Sequence, residues 1–202
     1  LGRGLKTKTT VKHNIKRVDY MLGSQCLHRE RNFFYQATAS SLIAKNTRSL
    51  ILIDWSSTTP CRKFHILRAS IVVENTGRAL TIYEENHPES QLTARKVHAS
   101  FIKNLFSIIP EDCSPIIITD AGFRVSWFKL IMAHGRDYIG RVRGRVHYQI
   151  NSSFTEWKHC HCLYEQATKR ARYLGKLDLT QSNQWLCNAY LIKKKPKIGV
   201  IT

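Results

Sequence analysis

At 202 residues, with 43% hydrophobic and 10% aromatic side chains, the chain has apolar material for one full domain plus an appendage or for two small domains. That excludes a disulfide-stapled miniprotein and a wholly disordered segment. Thirty-two Lys and Arg against 14 Asp and Glu leave a net charge of +18, which favours a polyanionic partner.

The charge is unevenly spread. Residues 1–49 carry ten basic and two acidic groups, residues 141–202 twelve and three, and residues 50–140 ten and nine. Carboxylates thus gather between two basic flanks, a layout suited to an acidic metal site between phosphate-gripping arms. A generally basic surface, such as a ribosome-associated protein shows, is the plainer reading. The apolar runs, Leu50–Ile53 and Ile116–Ile118 among them, are strand-sized, so no membrane partner is expected. Six cysteines without framework spacing, and no signal-peptide pattern, fit a reducing cytoplasm. The chain opens on Leu1 and closes on Thr202 just after the basic stretch Lys193–Lys197, which reads as a fragment.

Residues 1–10, rich in Gly, Thr and Lys, predict a flexible lead-in. Val11, Ile15, Val18 and Leu22 then recur at helical spacing, with Lys12, Lys16 and Arg17 off the stripe, predicting a helix with one packed and one cationic face that ends at Gly23. A second helix spans Leu27 to Ile43, with Phe33, Phe34 and Ala37 as core candidates. Leu50-Ile51-Leu52-Ile53 predicts a strand buried on both faces and ending in Asp54. Phe64–Val73 and Arg78–Tyr83, joined through Glu74-Asn75-Thr76-Gly77, predict a hairpin. Ser90–Ile109 carries Val97, Phe101, Leu105 and Ile108 on one stripe, and Pro110 stops that helix. Pro115–Asp120 predicts a second buried strand ending in an aspartate, followed by Gly122, a short helix to about His134, and a strand over Asp137–Val142. Beyond Gly144 the pattern weakens, with strands at Tyr148–Ile150 and Cys187–Ile192 and a hydrophilic basic stretch between them.

A three-strand meander followed by strand-helix units implies an α/β fold with a mixed sheet covered by helices, as in the RNase H-like fold. The predicted organisation is a basic helical region over 1–46, a partial RNase H-like core over 47–145, and the incomplete start of a β-rich insertion over 146–202.

Asp54 and Asp120 each follow a strand-forming aliphatic run, and their strands can be neighbours in that sheet. Each alone is as well explained by loop capping. Side by side, two carboxylates repel unless a cation sits between them. Mg²⁺ suits such a site because it binds through one or two carboxylates and keeps other positions for water and phosphate oxygens. A pair of such ions supports in-line displacement at phosphorus.

The local wording narrows this further. Ile53-Asp54-Trp55-Ser56, Leu67-Arg68-Ala69-Ser70, Leu80-Thr81-Ile82-Tyr83-Glu84, Thr119-Asp120-Ala121-Gly122-Phe123 with Trp127-Phe128, and Arg141-Val142-Arg143-Gly144 stand in this order. Together with Lys12-His13-Asn14-Ile15-Lys16-Arg17-Val18-Asp19 and Leu27-His28-Arg29-Glu30-Arg31, they resemble the DDE transposases of bacterial insertion sequences. The likeness is strongest to the cut-and-paste group that includes the transposase of the tetracycline-resistance transposon. It runs from about Lys12 to Gly144 and thinly to Lys195. The resemblance implies that Asp54 and Asp120 are the first two members of an Asp-Asp-Glu triad that binds Mg²⁺ or Mn²⁺ and drives strand cleavage and transfer at transposon ends. It implies double-stranded DNA as partner, a bacterial nucleoid-associated location, and self-association or pairing with intact transposase. The third member, a Glu on a helix bearing Tyr, Arg and Lys, has no match among Glu156, Glu165 and Asp178, so the chain is expected to be inactive by itself. The rivals are a noncatalytic DNA-binding or inhibitory remnant and an RNase H-like nuclease.

Lys12, Lys16, Arg17 and Arg68 are candidate DNA contacts, and Arg141, Arg143 and Arg145 share one face of an extended segment suited to the DNA backbone. Trp55 either shapes the site or packs. His159-Cys160-His161-Cys162 invites a zinc reading, but alternation separates histidines from cysteines, and Cys61 and His65 are partners only through an unseen fold.

Overall fold

A computed structural model describes residues 2–4, 6–43, 48–58, 62–73, 77–150 and 156–193. Glu74, Asn75 and Thr76 of the predicted turn, Cys61 and the lysines beyond Lys193 lie outside the described residues.

The helical stripes at the N-terminus form helices but do not pack as expected. Val11–Leu22 is α1 and Gln25–Ile43 is α2, joined through Gly23 and Ser24, with the Gly23 amide closing α1 on the Asp19 carbonyl at 2.9 Å. Val11, Ile15 and Leu22 remain exposed, and the buried residue of α1 is Asn14, whose Oδ1 accepts the Thr7 and Thr9 hydroxyls at 2.8 Å each. The lead-in therefore folds back onto α1, with a 3-10 turn at Gly2–Gly4. On α2, Phe33, Phe34 and Ala37 are exposed, and the core contacts come from Tyr35, Ala39, Leu42 and Ile43. Spacing finds a helix, but which arc docks is decided by the partner surface.

That partner is a five-stranded mixed sheet. Its strands are β1 (Leu50–Ser57), β2 (Phe64–Val72), β3 (Ala79–Pro88), β4 (Ile116–Thr119) and β5 (Asp137–Gly140), in the order β3-β2-β1-β4-β5. β1, β2 and β3 form the antiparallel meander, and β4 and β5 add in parallel. The connections that cross the sheet supply α3 (Arg95–Ile108) and α4 (Val125–Ala133). Phe101, Ile102, Leu105 and Ile108 of α3 and Trp127, Phe128 and Ile131 of α4 close over Ile51, Ile53, Leu67, Ala69, Ile82 and Ile117 in one core.

Several boundaries differ from the sequence expectation. β1 does not stop at Asp54, because its pairing with β2 continues to Ser57↔His65. β3 likewise runs on to Pro88, and α3 begins only at Arg95, after a 3-10 turn at Glu89–Gln91. β1 is buried on one face only: Ile51 and Ile53 face the helices, while Leu50 and Leu52 keep 40% and 37% of their surface. An aliphatic run without alternation cannot say which face is covered. β5 ends at Gly140, short of the predicted Val142.

The C-terminal part holds a second sheet, of four antiparallel strands rather than two isolated ones. These are β6 (His147–Ile150), β7 (Lys158–His159), β8 (Arg172–Leu179) and β9 (Trp185–Leu191), ordered β7-β6-β8-β9. Tyr148, Cys160, Leu163, Leu177 and Leu179 form its own core. The stretch read as hydrophilic contains β8, whose Arg172 and Lys176 are exposed while Leu177 and Leu179 are buried. The two sheets meet through Trp185, whose Nε1 donates to the Tyr138 hydroxyl at 2.6 Å. Lys129 reinforces the junction by donating to Asn183 Oδ1 at 2.6 Å and lying 5.7 Å from the Trp185 ring centroid. Among the described residues, no helix is long and apolar enough to cross a membrane.

Candidate functional site

The parallel ladder between β1 and β4 runs Leu50↔Ile116, Ile51↔Ile117, Leu52↔Ile118, Ile53↔Thr119. Asp54 and Asp120 come next on their respective strands, one step past the last pair. Side chains alternate, so both carboxylates fall on the face of Leu50, Leu52, Ile116 and Ile118, opposite the helices. Both aspartates are exposed. Here β4 peels away while β1 continues beside β2, which leaves one flank of Asp54 open. The register thus brings together two acids 66 positions apart in sequence.

Electrostatics agrees with this juxtaposition. Partial burial pushes the Asp54 carboxyl above the ordinary carboxylate range, a hydrogen bond to the Trp55 backbone opposes the rise, and the charge of Asp120 adds to it. Asp120 is held by the turn it opens: its Oδ1 accepts the Gly122 amide at 2.7 Å. A Cβ on residue 122 would lie 2.9 Å from the same oxygen, so a larger residue there would push the carboxylate aside. One carboxylate is thus fixed on a turn and the other on a strand, an arrangement able to hold a divalent cation by two oxygen donors. Among the described residues, no group of three or more His, Cys, Asp or Glu is arranged to hold a metal ion.

Arg68 is the cross-strand partner of Asp54, but its guanidinium turns to the next strand. Its Nε donates to Glu84 Oε2 at 2.9 Å, and Glu84 is its register partner on β3. Both side chains keep more than a third of their surface, so the pair adds little stability. Its effect is to keep one Arg68 nitrogen engaged. Sequence reasoning missed Glu84 because locating it required the β2–β3 register. It also missed the positioning role of Gly122, although Asp-Ala-Gly is a recognisable turn signal.

Trp55 belongs to the packing. It alternates to the helix side of β1, half-buried, with its ring 5.8 Å from that of His87 and 6.2 Å from that of His98. Beneath it, Glu85 accepts the Asn104 amide at 3.2 Å and the Tyr83 hydroxyl, and pairs with His87 Nε2 at 2.9 Å. The other nitrogen of His87 bonds Gln91 Oε1 at 3.1 Å, so both of its ring nitrogens are engaged.

The remaining cations are dispersed. Lys12, Lys16 and Arg17 are exposed on α1. Arg141, Arg143 and Arg145 are also exposed, while Val142 and Val146 pack against the smaller core. They do not occupy one extended segment, because the Val146 amide bonds the Arg143 carbonyl at 2.9 Å and puts Arg145 on a turn. Arg141 stays close to the aspartate strand: its amide bonds the Thr119 carbonyl at 3.3 Å. In the His-Cys-His-Cys run, His159 and His161 rings stack at 5.3 Å and His147 lies 4.1 Å from His159. Cys160 is buried, and burial, then Cys187 and Cys162, pushes its thiol up to about 11, the wrong direction for a ready thiolate ligand.

No family model and no curated protein matches this chain. Any functional reading therefore stands on the residues and their geometry.

Proposed function

We propose that the chain is part of an RNase H-like core of an insertion-sequence transposase, with Asp54 and Asp120 holding Mg²⁺ or Mn²⁺ against the phosphates of transposon-end DNA. The observation that carries this reading is the register Ile53↔Thr119, which sets the two carboxylates on one face of adjacent parallel strands. The strand order, with an antiparallel meander continued by two parallel strands, supports the same fold family.

A bound divalent cation would supply charge neutralisation for in-line attack by water or a DNA 3′-hydroxyl at phosphorus. The chain's own part is positional. Asp120 is oriented by Gly122, Asp54 is presented at the open flank of β1, and Arg141 and Arg143 supply exposed guanidiniums just beyond the neighbouring strand. Lys12, Lys16 and Arg17 add phosphate attraction from α1. With two carboxylates assembled, the expected behaviour is metal-assisted DNA binding with little or no turnover. That also suits a noncatalytic remnant that occupies ends or pairs with intact transposase.

The test is a binding and cleavage assay on labelled duplexes made from inverted repeats located in the DNA on either side of the coding sequence, with scrambled duplexes of equal length. The expected result is tighter binding to the repeats, strengthened by Mn²⁺, without efficient cutting. Equal binding to both duplexes with no effect of metal would overturn the proposal. Cleavage of both duplexes alike would point to a nuclease instead.

Gly122→Ala probes the site without removing a ligand. A methyl group at 2.9 Å from Asp120 Oδ1 must displace that carboxylate. By analogy with loss of an orienting partner, Mn²⁺ affinity measured by calorimetry should fall by about tenfold or more, with an unchanged far-ultraviolet spectrum.

A further inference from the structure

We propose that the outer face of the β8–β9 ribbon is a stacking platform for single-stranded nucleic acid, with Tyr173 and Tyr190 as the base-contacting rings. This surface is separate from the aspartate pair, and the inference does not rest on the metal reading.

The ribbon is built to bring these two rings together. Along β9, Leu186, Asn188 and Tyr190 are exposed, while Cys187, Ala189 and Leu191 pack against the small core. Opposite them, Lys176 pairs with Asn188 on the outer face and Leu177 pairs with Cys187 on the inner. Strict alternation back from Lys176 would point Leu174 outward and Tyr173 inward. The register instead shifts between Tyr173 and Gly175, and Gly175 takes a φ of +90°, which an L side chain rarely adopts. The extra residue sends Leu174 into the core and returns Tyr173 to the outer face, opposite Tyr190.

The result is two exposed aromatic rings with centroids 5.0 Å apart and planes inclined at 39°. They keep 51% and 68% of their surface, unusual for adjacent tyrosines that burial would otherwise stabilise. The Tyr173 hydroxyl donates to Asn188 Oδ1 at 2.8 Å, which fixes its ring.

The surroundings are cationic. Residues 167–193 hold five Lys or Arg against the single carboxylate of Asp178, which is buried. Lys176 is the next residue along the same face. The Lys193 amide bonds the Thr168 carbonyl at 2.8 Å, and the Thr168 hydroxyl bonds the Arg170 carbonyl at 2.7 Å, which brings Lys169 and Arg170 to the tyrosine end. Open π-faces flanked by cations match a strand whose bases are unstacked and whose phosphates need neutralising. A duplex keeps its bases stacked on one another and offers these rings no face. DNA and RNA single strands share this chemistry.

The test measures anisotropy of labelled dT15, rU15 and a 15-base-pair duplex with the full chain. Tyr173→Ala and Tyr190→Ala should each weaken single-strand binding roughly fivefold or more, Tyr→Phe should retain most of it, and duplex binding should hold. Lys176→Gln should lower the salt slope for dT15 by about 0.7. Photocrosslinking of 4-thiothymidine-substituted dT15 to the unaltered chain, mapped by peptide mass, should mark Tyr173 or Tyr190 and needs no variant to fold. The proposal is overturned if crosslinks fall elsewhere, if the alanine variants bind dT15 like the parent, or if duplex and single strand lose affinity equally. A preference between dT15 and rU15 identifies which strand the platform serves.

Discussion

Without divalent metal, Asp54→Asn is expected to melt at a higher temperature than the parent chain at pH 7, and saturating Mn²⁺ is expected to reverse that order. The first half follows from the raised Asp54 carboxyl. Burial and the neighbouring Asp120 charge both disfavour its ionised form in the folded chain. A folded-state pKa above the unfolded one means that stability is lost as pH rises from about 3.9 through the raised value. Asn carries no charge, so the variant escapes that loss, and its advantage should vanish below the unfolded pKa. Melting curves at pH 3.5, 5 and 7 read this directly. The second half is linkage. Metal at about 100 times its dissociation constant stabilises the parent by about 2.7 kcal/mol, which for a chain of this size raises the midpoint by about 5–10 °C. Asp54→Asn should show little of that shift. Asp120→Asn should lose it as well, while bringing the Asp54 carboxyl back toward its usual range. A variant less stable than the parent without metal would show that the carboxylate's hydrogen bond to the Trp55 backbone outweighs its burial and the Asp120 charge, and an equal Mn²⁺ shift in both would show that the two carboxylates do not act on a common ion.

The neighbouring placement of Asp54 and Asp120 was legible because both stand where hydrophobic runs stop. What the residues could not give was the flank. Asp54 was expected at a strand end, yet β1 continues to Ser57 because His65, Ile66 and Leu67 carry the antiparallel pairing onward. The carboxylate is exposed because this face of the sheet is uncovered, as at Leu50 and Leu52, and its flank is opened by the end of β4, a feature of a different segment. Arg68 shows the same limit. Alternation with Leu67 and Ala69 assigns it to a face of β2, but its partner Glu84 sits on β3, and the register depends on a connection through Gly77 and a shift at Ala69 and Ser70.

Errors in the helical region and the smaller sheet have another origin. Phe33 and Phe34 are large and apolar, so burial was the default expectation, but α2 docks through Tyr35, Ala39, Leu42 and Ile43 on a different arc. Tyr35 is the telling case: its ring meets Tyr83 edge-on at 5.0 Å and its hydroxyl donates to the Glu84 carbonyl at 3.4 Å, so a polar tip and an apolar body are both used. β8 escaped notice because Gly175 and the charges at Arg172 and Lys176 break the apolar pattern. Those charges lie outward, and the bulge at Gly175 shifts the alternation midway through the strand.

Gly140→Ala is expected to destabilise the chain by about 1–3 kcal/mol, lowering the melting midpoint by about 2–12 °C. Gly140 pairs with Thr119 on the helix-facing side of β5, and a Cβ there would lie 2.3 and 2.4 Å from Phe128 ring carbons. Phe128 has nowhere to retreat: it is 4% exposed and stacked on Tyr138 at 4.5 Å with planes 12° apart. Alanine would also reduce the freedom of the unfolded chain, a gain of about 0.4–1 kcal/mol that is smaller than the clash. The strand or α4 must therefore shift. Because β5 is, among the described residues, an edge strand paired with β4, the strand should yield first, and β4 delivers Asp120 one residue after Thr119. Mn²⁺ affinity should fall together with stability. Phe128→Leu in the Gly140→Ala background should recover part of both, while costing stability in the parent, so a double-mutant cycle should give a clear coupling energy. A melting midpoint within about 1 °C of the parent, or strictly additive changes, would show that α4 does not press on β5 at this point and that the aspartate strand is positioned independently of it.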